Sequence, residues 1–127
     1  MLIHSALSLR TPEAAKMIFE DIFAFPLLYS FDIGPSTMAA LFGIERAVVA
    51  QVYDLGTTRL EVFIMDDMPT PGRLQHLCLA VADREAVVTR WKVEGWEVRR
   101  FQRDDGDVIF CIDADGNMYE LKNRSGR

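Results

Sequence analysis

The sequence predicts an α+β fold built from two tandem βαβββ modules, and three observations carry that prediction. Short apolar runs with strand-like composition recur along the chain, each bounded by Gly, Pro, Asp or Asn. One segment in each half begins with a capping residue and continues with apolar residues at helical spacing. The order strand, helix, strand, strand, strand occurs twice.

In the first half, Leu2 to Leu9 reads as a strand. Thr11 offers a cap oxygen, Pro12 suits the first helical turn and Glu13 complements the helix dipole. Ala14, Ala15, Ile18, Ile22 and Phe23 lie at helical spacing, which predicts a helix to about Phe23. After Pro26, Leu27 to Ile33 is a second strand. Gly34-Pro35 breaks it, and Ser36-Thr37 is the expected cap of a short helix through Phe42, stopped by Gly43. The segment from Gly34 to Glu45 is read either as a lid or as a surface connection. Ala47 to Tyr53 and Thr58 to Met65 then flank Asp54-Leu55-Gly56-Thr57 as a hairpin.

Asp66 to Arg73 holds two acids, two prolines and a glycine, and reads as the linker. Module one therefore covers about 1–65 and module two about 74–123. In the second half, Leu74 to Val81 is a strand, Asp83 caps a helix from Arg84 to Val93, and Gly95 stops it. Glu97 to Arg103 is a strand. Asp107 to Ile112 and Met118 to Lys122 form a hairpin around Asp113-Ala114-Asp115-Gly116-Asn117.

A chain of 127 residues, half of them hydrophobic and about a quarter charged, fits one globular domain with a real core. The net charge of −5 argues against nucleic acid or an anionic membrane as the main partner. No apolar run approaches the roughly 20 residues of a membrane span, and the start lacks the layout of a signal peptide; a cytoplasmic location is expected. Cys78 and Cys111 lack CxxC spacing and are expected to be reduced, buried thiols. Trp91 and Trp96 are read as helix-to-sheet packing. Arg99, Arg100 and Arg103 are read as a solvated strand face.

The chain has only two histidines. His4 lies in the first strand of one half and His76 in the first strand of the other. Glu61 and Glu120 lie in the last strand of each half. Imidazole and carboxylate together suit a borderline divalent metal, so the repeated order His-then-Glu points to a metal site built from two similar halves. Each residue alone has a simpler reading, a satisfied core histidine or a solvated edge carboxylate. The matched set favours ligation.

Leu74-Gln75-His76-Leu77-Cys78-Leu79-Ala80-Val81, Asp113 to Leu121 and Asp54-Leu55-Gly56-Thr57-Thr58-Arg59-Leu60-Glu61 are the stretches that resemble a known family. Over Leu2 to Asn123 the chain resembles the vicinal oxygen chelate superfamily of glyoxalases, bleomycin-resistance proteins and extradiol dioxygenases. The Asp113 to Leu121 stretch is similar to that family's D-P-D-G-N-x-x-E-L ending, with Ala114 in place of proline. The resemblance implies a curved sheet around a metal-containing cleft. The His-Glu-His-Glu set is similar to that of bacterial glyoxalase I, which would make His4, Glu61, His76 and Glu120 the ligands of one divalent ion per site (Ni, Co, Zn, Fe or Mn). Ser8 stands where that enzyme family carries a glutathione-binding arginine. Methylmalonyl-CoA epimerases usually carry glutamine where this chain has Glu61.

By the same resemblance Glu120 is the expected base, and Glu61 is placed to return the proton to a small-molecule substrate chelating the metal through oxygen. Strand alternation puts Arg59 and Phe63 on the face of Glu61, and Met118 and Lys122 on that of Glu120. Phe63 and Met118 are expected as apolar walls. Arg59 and Lys122 either reach an acidic substrate group or form surface ion pairs. Family members of this length commonly form homodimers with sites shared between subunits. The functions implied are a metal-dependent lyase or isomerase of glyoxalase type, an acyl-CoA epimerase, or an antibiotic-type binding protein.

Overall fold

Parallel pairing of the first and last strand organises each half of the chain. The computed structural model describes residues 1–67 and 70–124. Two compact units divide it, Met1–Met68 and Pro69–Arg127. Of the linker read from the sequence, residues 68 and 69 lie outside the described residues.

In the first unit, strands β1 (His4–Leu9), β2 (Leu27–Ile33), β3 (Val48–Asp54) and β4 (Arg59–Ile64) form a sheet in the order β1-β4-β3-β2. β1 runs parallel to β4, and the other pairs are antiparallel. Thr11 caps helix α1 by accepting from the Ala14 amide at 3.1 Å. The helix is α-helical over Pro12–Ala15 and continues as a π-helix over Lys16–Ile22. Ala24 takes φ +57° and ends it before Pro26. Ala15, Ile18 and Phe19 are buried, and the Phe19 ring meets Tyr53 with centroids 5.2 Å apart.

Helix α2 (Pro35–Phe42) is capped by Gly34, not by Ser36-Thr37, and Gly43 ends it at φ +69°. Proline suits the first helical turn because it has no N–H to leave unpaired. Ser36 and Thr37 consequently fall inside that turn. Most of the segment is exposed, but it is anchored at one point: Met38 is buried with Val48 and Met65, and Ile33, Ile44 and Phe63 pack partly buried around them.

In the second unit, β5 (Leu77–Val81), β6 (Glu97–Arg103), β7 (Gly106–Ile112) and β8 (Met118–Asn123) form a sheet in the order β5-β8-β7-β6. Asp83 caps α3 (Arg84–Val93) through the amides of Glu85 and Ala86 at 3.0 and 3.2 Å. Trp91 is fully buried and donates its Nε1–H to the Ile112 carbonyl at 2.9 Å. Its ring packs edge-on against Trp96 and Tyr119.

Three sequence readings of this unit are corrected. β5 begins at Leu77, so His76 immediately precedes the strand instead of lying within it. Cys111 is buried, but Cys78 is exposed. Successive strand residues point to opposite faces, so Arg99, Arg100 and Arg103 do not form one solvated face. Arg99 pairs with Glu97, whereas Arg100 holds Glu85 of α3 and Asp107 of β7 at 2.7 and 3.0 Å.

Alternation and register give each sheet two unlike faces. In the first, Leu7, Leu9, Leu60 and Val62 lie on one face; His4, Ala6, Ser8, Arg59, Glu61 and Phe63 lie on the other. In the second, Leu79, Leu121, Ile109 and Cys111 share one face, and Cys78, Glu120, Lys122 and Phe110 share the other.

Candidate metal centre

Each unit brings one histidine to one glutamate. His4 Nε2 lies 2.5 Å from Glu61 Oε2, and His76 Nε2 lies 3.3 Å from Glu120 Oε1. The glutamate side chains are mostly covered, at 16% and 19% exposure, while the imidazoles remain reachable at 49% and 36%. Within each unit two such side chains meet. Among the described residues no cluster of three or more His, Cys, Asp or Glu side chains is placed to hold a metal ion.

The backbone reason is the same in both units. His4 stands opposite Arg59, two residues before Glu61, so Ala6 stands opposite Glu61. Leu77 stands opposite Tyr119 and Cys78 opposite Glu120, which leaves His76 two residues short of the Glu120 contact. A side chain two residues along a strand lies on the same face at roughly 7 Å, within reach of a histidine and a glutamate leaning together.

The donor chemistry fits a cation. His76 Nδ1 lies 2.9 Å from the Leu74 carbonyl, and in the tautomer with its proton on Nδ1 it donates there and leaves the Nε2 lone pair toward Glu120. A lone pair facing a carboxylate needs a positive charge nearby, either a proton or a metal ion. A backbone carbonyl holding the far nitrogen is also how metal-binding imidazoles are oriented. Phe110 stands opposite Glu120 in β7 and meets the His76 ring edge-on at 5.0 Å.

The neighbours expected from alternation are on these faces. Arg59 is exposed beside His4 in register. Phe63 is half-buried against Phe42 of α2, with ring centroids 5.5 Å apart. Met118 lies half-buried at the start of β8. Lys122 reaches Glu120 Oε2 at 3.6 Å, which makes it an ion-pair partner of that carboxylate. The exposed Cys78 sits across from Glu120; partial desolvation by the sheet, then the Glu120 charge, push its thiol pKa up, against the pull of Lys122. Phe110 and the α2 residues Met38 and Phe42 escape a strand-by-strand reading. Only the spacing of Met38 and Phe42, four apart, marks them as one helix face.

This order of strands and helices in two units has solved counterparts. A glyoxalase family protein from Enterococcus faecalis superposes with a TM-score of 0.70 at 24% identity, covering 95% of each chain. The chain has the vicinal oxygen chelate fold. The trypanothione-dependent glyoxalase I of Leishmania major shares this fold with a TM-score of 0.71 at 16% identity, over 98% of this chain and 87% of that one. So does a mutant of the fosfomycin resistance protein FosX from Listeria monocytogenes, complexed with Mn(II) and 1S,2S-dihydroxypropylphosphonic acid, with a TM-score of 0.69 at 18% identity over 95% and 90%. No family model and no curated relative matches the chain. No helix among the described residues is long and apolar enough to cross a membrane.

Proposed function

We propose that the protein is a divalent-metal-dependent, glyoxalase-like lyase or isomerase that moves a proton on a small substrate bound through its oxygens. The observation that carries this reading is the pair of His–Glu contacts, formed at equivalent register in two vicinal oxygen chelate modules. Each unit supplies two ligands, fewer than a borderline divalent ion takes. In a homodimer, His4 and Glu61 of one subunit would be joined by the partner subunit's His76 and the partner subunit's Glu120. Ni, Co, Zn, Fe and Mn all suit two imidazoles and two carboxylates.

When bound, such an ion draws charge from the chelating oxygens of the substrate and makes the neighbouring C–H bond more acidic. Glu120 is the base in this account. Its Oε1 faces His76 and its Oε2 faces Lys122, so one oxygen stays with the imidazole while the other takes a proton. Glu61, from the other module, donates a proton of its own to the opposite face, and exchange with solvent returns both carboxyls to their starting states. Phe63 and Met118 exclude water beside the carboxylates, and Lys122 orients Glu120. With Ser8 where a glutathione-binding arginine would stand, the proposed substrate is not a glutathione adduct. The exposed Arg59 favours, as a second reading, an epimerase of acyl thioesters on phosphate-rich carriers, which need cationic contacts.

The test is a turnover screen of α-hydroxycarbonyl compounds and acyl thioesters with metal-refilled protein. Glu120→Gln is expected to lower turnover on the order of 10²–10⁴-fold. Unchanged turnover in Glu120→Gln overturns the assignment of the base. A metal-filled protein that binds but converts none of these compounds is a binding protein on the same fold.

A further inference from the structure

The open face of the first sheet is roofed at one end by α2. Met38 anchors the helix there, and Phe42, one turn on, leans edge-on against Phe63. A half-open pocket of about 220 Å³ remains between helix and sheet, lined by Ala6, Ser8, Met38, Phe42, Ile44 and Phe63 among others, with no charged side chain. It lies beside the first His–Glu pair. Ala6 is the residue directly opposite Glu61, and Ser8 is opposite Phe63, one strand repeat further along the same face.

We infer that this pocket is a specificity site for an uncharged apolar group the size of one aromatic ring, carried by the substrate whose oxygens lie at His4 and Glu61. The second half of that statement rests on the metal-centre reading above; the first half does not. A cavity of roughly 150 Å³ lined by aliphatic and aromatic side chains already accepts benzene, so the volume here admits one ring with a small substituent. A charged group in it would lose its hydration and meet no partner. Ala6, opposite Glu61, brings only a methyl group to that end of the pocket, and Phe42, half-exposed on the roof, gains cover when a ring enters. The helix that forms the pocket is also what lengthens the interval between His4 and Glu61 relative to that between His76 and Glu120. The first module therefore carries a binding element that the second lacks among its described residues.

Two arms test this on the full chain. In the first, toluene is titrated into metal-free protein labelled at the methionine methyls. The Met38 and Met65 resonances are expected to shift and saturate while Met118 stays still, and Ser8→Leu, which fills the pocket from a half-buried position on β1, is expected to abolish the shifts. A thermal midpoint for Ser8→Leu near that of the parent shows that it folds. In the second arm, lactate and mandelate, which share their oxygens and differ in a methyl against a phenyl, are compared by calorimetry on metal-loaded protein. Mandelate is expected to bind about tenfold or more tighter. Ser8→Leu should erase that ratio without changing metal content. Unmoved Met38 and Met65 methyls, or a mandelate preference that survives Ser8→Leu, overturn the inference. Toluene shifts in a protein that binds neither acid overturn the metal-centre reading and uphold the pocket as a site for an apolar ring.

Discussion

Cys78 stands directly across the parallel β5–β8 ladder from Glu120, in the relation that Ala6 holds to Glu61 across β1 and β4. Each histidine lies two residues before that contact. The shared register makes the two His–Glu pairs equivalent, and it also places one thiol on the open face and turns the other toward the helix.

The two thiols should therefore react at very different rates. Cys111 is fully buried, and burial pushes its thiol pKa up to about 12. Iodoacetamide on the native protein at pH 8 is expected to label Cys78 and to reach Cys111 only after denaturation. Peptide mass spectrometry reads the sites. Comparable native labelling of Cys111 would contradict the packing of the second unit.

Trp91→Phe removes the N–H that satisfies the Ile112 carbonyl and leaves part of the ring volume empty. A loss of about 2 kcal/mol is expected from the unpaired carbonyl and the cavity together. In urea the midpoint should fall with the slope unchanged. A midpoint equal to the parent's would mean that the hydrogen bond and the edge-on contacts to Trp96 and Tyr119 contribute nothing.

Asp113 anchors the turn before β8. Its Oδ1 accepts from the amides of Asp115 and Asn117, and its Oδ2 accepts from Asn117 Nδ2 and the Tyr119 hydroxyl. Burial raises its pKa more than these bonds lower it. A carboxyl raised on folding binds its proton more readily in the folded chain, so this term favours folding at low pH and is lost as pH rises through the folded value. Relative to Asp113→Asn, the parent should gain stability as pH falls toward the ordinary carboxylate range. Denaturant midpoints of both proteins at several pH values check this, and a difference independent of pH would contradict it.

Much of the fold was legible because its punctuation is local. Pro26 and Gly34 bound β2, and Asp83 and Gly95 bound α3, so both elements lie where the sequence places them. The start of β5 was not legible. Leu74 and Gln75 continue the strand-like run, but Gln75 closes a turn on Gly72 through its amide and its side chain, which leaves Leu74 exposed and delays the strand. Nor does apolar spacing distinguish an α-helix from the π-helix at Lys16–Ile22. The order of His4, Glu61, His76 and Glu120 could be read directly, whereas their meeting in pairs depends on the β1–β4 and β5–β8 registers. The pocket under α2 needed the packing of Met38 on Val48 and Met65, which no local pattern encodes.

The proposed function requires the two His–Glu pairs to hold a metal ion. Its most direct test is elemental analysis of the purified full chain beside His4→Ala and Glu120→Gln, each dialysed exhaustively and refilled in turn with Ni, Co, Zn, Fe and Mn, with the oligomeric state measured on the same samples by sedimentation. About one ion per chain in a dimer is expected, with its loss in both variants. A parent protein that retains none of these metals, or variants that retain as much as the parent, would contradict it.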